Sequence, residues 1–214
     1  MPESFLPHEG QGLDRWRKAS VVNEVDDAKL SYRVDLPGGQ LRLVEAIVYI
    51  ASKCASAERF GKIKLNKILW RADFEAFAIR GVPVTGRAYQ RLKLGPAPVE
   101  MAPVLPEMVQ DGLLRFELYE FGDNIVEERP VAISEPNLRY FSADDLQYLD
   151  EAIDFYWDKT GRETSDQSHG VAWKTREDND PMPYELAFLS DSTLSDVQKK
   201  RLLGVAHSRG VRSE

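Results

Sequence analysis

Between Lys62 and Arg80 the chain carries apolar residues on two sides of what would be a single helix. At about 100° per residue, Leu65, Ile68, Leu69, Ala72, Ala76 and Ile79 share one stripe, and Trp70, Phe74 and Phe77 share the opposite one. A surface helix needs one apolar stripe, whereas a helix with two must be covered from both sides. Residues 62–80 therefore predict the buried central helix of a domain. Gly81 suits the left-handed position after its last turn, and Pro83 prevents continuation. Lys64, Lys67, Arg71 and Glu75 fall on a narrow edge between the stripes, which the wheel assigns to solvent or to a partner.

The rest of the chain must supply the cover. After the break at Pro37-Gly38-Gly39, residues Leu41, Leu43, Val44, Ile47, Val48, Ile50, Ala51 and Cys54 occupy more than half of a helical circumference. Residues 98–112 read as a helix carrying Val104, Leu105, Met108 and Val109, with Pro103 and Pro106 disturbing its first half. Residues 113–121 and 125–133 alternate as the arms of a β-hairpin around Gly122-Asp123-Asn124. Ser142 is placed to cap a helix over 143–160 that Gly161 ends. Leu146, Leu149, Ile153, Tyr156 and Trp157 would face inward from it; Asp144, Glu151, Asp154 and Asp158 would face out. Thr164 can cap a short turn leading to His169 and Trp173, and the Ser195/Gln198 spacing opens a last helix to about His207. The expected fold is mainly α with one β-hairpin. Residues 1–38 form an N-terminal arm, 39–173 the domain, and 174–214 a C-terminal loop and helix packed on it.

With 43% hydrophobic residues in 214, the chain can bury a substantial core. The longest apolar run, 43–51, is broken by Glu45 and is too short to cross a bilayer. Glu3, Pro7, His8 and Glu9 break any signal-peptide core. The lone Cys54 cannot form an internal disulfide and sits in an apolar helical pattern, so a soluble protein of a reducing cytoplasm is expected, with no membrane partner. The net charge of −7 is uneven: residues 117–180 carry 17 acidic and 6 basic groups, whereas residues 59–93 carry 9 basic and 2 acidic, a polarity that could steer a charged partner.

Chemistry-bearing patterns are sparse. His8, His169, His207 and Cys54 show no metal-ligand spacing, and no glycine-rich segment approaches a phosphate loop. Ser165, Asp166 and His169 lie too close on one short turn to converge as a hydrolytic triad; a helix cap with a buried histidine is the simpler reading. Neither catalytic activity, nor a cofactor, nor a metal is expected.

Three motifs carry a resemblance. Lys64, Leu65, Lys67, Ile68, Leu69, Trp70, Ala72 and Asp73 fill a pattern K-L-x-K-[IL]-L-aromatic-x-A-D. A Gly-x-Pro follows as Gly81 and Pro83, and a G-P-V element as Gly95 and Pro96, with Ala97 in place of valine and Leu92 where a tryptophan is usual. Ser165, Asp166, Ser168 and His169, with Trp173 four residues on, fill S-D-x-[ST]-H…W. In order and spacing these resemble the Panacea, or SocA-like antitoxin, domain, from Leu43 to Trp173. The resemblance implies an antitoxin of a bacterial or phage toxin–antitoxin module, of the kind that acts in phage defence and neutralises by direct binding a protein toxin encoded beside it. Leu65, Leu69, Trp70, Asp73, Gly95, Pro96, His169 and Trp173 are expected to mark the fold, with Trp173 a core anchor. The toxin contact is expected elsewhere, on the acidic stripe Asp144, Glu151, Asp154 and Asp158, with the edge Lys64, Lys67 and Arg71 next. The competing expectation is a transcriptional regulator that binds its own promoter DNA, through a winged-helix-like unit or the N-terminal arm, because residues 59–93 are basic. Either function is compatible with a homo-oligomer.

Overall fold

A computed structural model describes residues 30–121, 125–189 and 193–208. Most of the N-terminal arm and the tip of the hairpin, Gly122-Asp123-Asn124, lie outside the described residues. Seven α-helices are described: α1 (Gln40–Lys53), α2 (Lys62–Arg80), α3 (Met101–Gln110), α4 (Ala143–Tyr156), α5 (Gly161–Gln167), α6 (Val171–Lys174) and α7 (Asp196–Ser208). Strands β1 (Tyr89–Gln90), β2 (Ala97–Pro98) and β5 (Pro181–Met182) make a small antiparallel sheet in the order β2-β1-β5. Strands β3 (Leu114–Phe121) and β4 (Ile125–Ala132) form the hairpin, paired from Leu114 with Ala132 to Phe121 with Ile125.

The fold is mainly helical and α2 is its centre, as its two stripes require. Leu65, Ile68, Leu69, Ala72 and Ala76 are buried among α1, α3 and α4 in an aliphatic core that also takes in Ile47, Val104, Met108 and Leu149. Phe74 and Phe77 face the other way, into an aromatic cluster with Tyr89, Tyr184 and Phe188. Its rings pack edge-on and tilted, Phe74 with its centroid 5.4 Å from Tyr89 and 5.1 Å from Tyr184. Trp70 is half-buried at its margin. Ile79, assigned to the first stripe, is 40% exposed, because the helix outlasts its cover there. Gly81 ends α2 at φ +78°, its N–H bonded to Phe77 O.

Several boundaries differ from the sequence expectation. Helix α3 starts at Met101, after Ala97 and Pro98 have paired with β1. The 143–160 helix is two helices. Ser142 caps α4 in a capping box with Asp145, but Thr160 forms a second capping box with Glu163 and starts α5 at Gly161, so this glycine opens a helix instead of closing one. The β2-β1-β5 sheet was not foreseen; strands of two residues are too short to show a period. The described end of the arm is tied down, with Val34 N–H bonded to Gly86 O and Tyr184 N–H to Ser31 O. Ser195 and Gln198 cap α7 reciprocally, and α7 lies on the C-terminal part of α2, where the Arg201 guanidinium covers Gly81 and the Phe77 ring. Among the described residues no helix is long and apolar enough to cross a membrane.

Candidate functional site

The three motifs converge on the middle of α2. Asp73 is fully buried, and its carboxylate accepts hydrogen bonds from Thr85 N–H at 2.6 Å, from the Thr85 hydroxyl and from Tyr89 OH at 2.9 Å. Tyr184 shares its hydroxyl proton between Arg87 O at 2.7 Å and Asp73 at 3.3 Å. Burial pushes the Asp73 carboxyl up, while the bonds from Thr85, Tyr89 and Tyr184 pull it down. This carboxylate joins α2, β1 and the 3-10 turn Tyr184–Phe188, and so fixes the aromatic side of the fold.

Two turns earlier on α2, Lys67 is 2% exposed and donates from Nζ to Pro96 O at 2.8 Å. Burial brings its ammonium down to about 7. Gly95 sits directly over it at φ +96°. A Cβ at Gly95 would lie 2.2 Å from Ser168 Oγ and 2.5 Å from Lys67 Cε, so both the backbone angle and the space demand glycine. Ser168 Oγ donates to Ser165 O at 2.7 Å, and Ser165 Oγ donates to Leu94 O at 3.0 Å. The Gly95-Pro96 element thereby bridges the other two motifs, accepting from Lys67 and packing against Ser168.

Trp173 closes this knot from outside and is not the core anchor expected of it. It is half-buried, donates from Nε1 to Leu92 O at 2.9 Å, and stacks on His169 at 3.7 Å with an angle of 14° between the rings. The Arg91 guanidinium lies 3.9 Å from its ring centre and pairs with Asp178. His169 is likewise half-buried, with Nε2 3.3 Å from Ser165 Oγ. Burial and the nearby Lys67 charge depress its pKa. Motif spacing alone gave no sign of Arg91, Thr85, Tyr89 or Tyr184, because each lies in a short segment without periodicity.

The edge Lys64/Lys67/Arg71 is not a solvent face. Helices α4 and α5 pack along it: Lys64 is 2% exposed and donates to Trp157 O at 3.0 Å, while Arg71 lies 3.7 Å over the Phe155 ring and pairs with Glu75. Long aliphatic stems let lysine enter a core wherever the head finds a carbonyl, and a helical wheel cannot see that. The acidic stripe does face solvent. Asp144, Glu151 and Asp154 are exposed on α4, and Asp158 is exposed in the turn beyond it. Their neighbours are spoken for inside the fold, Asp145 by Arg42 and Arg80, and Asp150 by Tyr49 and Lys53. Burial raises the Cys54 thiol to about 12, which leaves it inert as a nucleophile. Among the described residues, no three His, Cys, Asp or Glu side chains could share a metal ion.

A comparison with protein families fits this geometry. The model for "Antitoxin SocA-like, Panacea domain" matches residues 65–174, the stretch that holds the whole motif knot. The chain belongs to this family. The match begins at Leu65 and so does not take in helix α1, which the resemblance from Leu43 included. No curated protein and no solved structure matches the chain. Most Panacea motif residues serve the interior or its immediate seal: Leu65 and Leu69 the aliphatic core, Asp73 the aromatic side, and Gly95, Pro96, His169 and Trp173 the knot over Lys67, whereas Asp166 is exposed.

Proposed function

We propose that this protein is an antitoxin that neutralises a protein toxin encoded by a neighbouring gene, by stoichiometric binding and without catalytic turnover. Membership of the SocA-like Panacea family across residues 65–174 carries this reading. The use of the motif residues supports it, because side chains spent on the interior leave partner choice to residues outside the motifs. The exposed carboxylates Asp144, Glu151, Asp154 and Asp158 are the part of that surface we assign to a basic toxin. Residues 39–173 act as the binding domain, and beyond them Tyr184, Phe188 and helix α7 pack against α2. The regulator reading rested on a basic 59–93 segment, and it loses weight because Lys64, Lys67 and Arg87 are each at most 2% exposed. Inducing the neighbouring gene alone should arrest growth, and inducing both should restore it through a complex that co-purifies. A neighbour that is harmless under strong induction, or rescue without a complex, would refute this function.

A further inference from the structure

The Panacea motifs explain why Lys67 is enclosed, but not what balances its charge. Pro96 O is its one hydrogen-bond acceptor among the described residues, and no described carboxylate lies within 4.0 Å of its Nζ, although an ammonium has three protons to donate. A buried cation without a counter-ion is costly, and its depressed pKa follows from burial alone. Lys67 forms part of the wall of a 420 Å³ cleft whose lining also includes Asn66, Leu92, Lys93 and Gly95. Of the other charged groups there, Lys62 is paired with Glu128 and Asp178 with Arg91; His169 is the remaining titratable neighbour of Lys67. Lys93 stands exposed at the rim. Asn66, which also lines the cleft, has a buried Oδ1 with no partner, and its amide can donate as well as accept.

We propose that this cleft is a binding site for a small anionic group, a carboxylate or a phosphate, which is held by the Lys67 ammonium with Lys93 at the entrance. The site does not rest on the antitoxin reading. A single carboxylate or phosphate fits the geometry because the floor offers one enclosed cation beside one amide, flanked by the apolar Leu92. Bound there, it would complete the hydrogen bonding of Lys67 and restore its charge.

The test uses the full chain with 15N-labelled lysine at pH 6, observed by NMR at the lysine Nζ. Sodium acetate and inorganic phosphate are titrated in separate arms, against sodium chloride at matched ionic strength. Saturable shifts of the Lys67 signal with acetate or phosphate, and none with chloride, are expected, and the arm that saturates at lower concentration identifies the preferred anion. Lys67→Met, which keeps the stem in the core, should fold and lose saturable binding, read from backbone amides around Gly95. Lys93→Gln lies on the surface and should weaken binding roughly two- to fivefold, the worth of one exposed charge. Shifts that match chloride in every arm, or saturable binding that survives Lys67→Met, would overturn the site.

Discussion

The two sides of helix α2 are built on different principles. Toward α1, α3 and α4 it presents Leu65, Leu69 and Ala72 to an aliphatic core, where volume and shape set the energy. Toward β1 and the 3-10 turn it presents Phe74 and Phe77 around Asp73, and at its N-terminal half it holds Lys67 beneath Gly95. The first side tolerates any set of residues of suitable size. On the second, Asp73, Tyr89, Tyr184 and Lys67 are each held by a side-chain hydrogen bond, so a substitution there breaks a bond as well as a packing contact. The family's identifying residues fall on both, but only the second explains why their identities are so specific.

The comparison would break most clearly at Asp73. Asp73→Ala leaves the Thr85 N–H and the hydroxyls of Thr85 and Tyr89 buried without their acceptor, and should cost about 3–5 kcal/mol in urea unfolding. Leu69→Met, on the aliphatic side of the same helix, should cost less than about 1.5 kcal/mol. Equal costs would abolish the distinction between the two sides.

Lys67 sharpens it through pH. Its ammonium falls from the ordinary lysine value to about 7 in the folded protein, so between pH 7 and the unfolded value the unfolded chain holds a proton that the folded chain lacks. Stability contributed by this group therefore rises with pH from about 7 to about 10.5, by an amount on the order of a few kcal/mol, and is level on either side. Lys67→Met should remove that rise and be more stable than the parent below pH 7. Parallel pH–stability curves for the two proteins would contradict the burial argument.

Trp173 sits at the outer limit of the knot. Being half-buried and replaceable in part by water, Trp173→Ala should cost only about 1–2 kcal/mol, less than a fully buried tryptophan would. It should also expose His169 and raise the pKa measured for that ring, because burial is the largest cause of its depression. A larger loss of stability with His169 unmoved would restore Trp173 to the core.

These contrasts follow what periodicity can and cannot reveal. The aliphatic side is legible because a 3.6-residue repeat over 62–80 encodes it directly, and Gly81 through its backbone and Ser142 through its hydroxyl act on neighbours in sequence. The hairpin was legible for the same reason at period two. The polar side was not: Thr85, Tyr89 and Tyr184 reach Asp73 from separate short segments, and nothing local marks them as partners. Charge on a helical wheel points Lys64 and Lys67 to solvent, whereas their stems are long enough to end on the carbonyls of Trp157 and Pro96. The packing of Trp173 against Arg91 depends on helix α6 meeting the segment after β1, and no spacing encodes that.

The smallest expected effect on stability is at the outer face of α4. Changing Asp144, Glu151, Asp154 and Asp158 together to Asn or Gln should shift unfolding by less than about 1 kcal/mol, since all four are exposed. It should instead slow association with the toxin, most at low salt. An unchanged rate and salt slope would remove this stripe from the interface.

The central claim, neutralisation by binding, is tested most directly by titrating purified toxin of the neighbouring gene with this protein while following residual toxin activity. The account predicts that activity falls in proportion to added protein and reaches zero at a fixed molar ratio, at which a complex of the same composition elutes as one species. Loss of toxin activity at a small fraction of that ratio, with no complex formed, would mean turnover in place of binding and would contradict it.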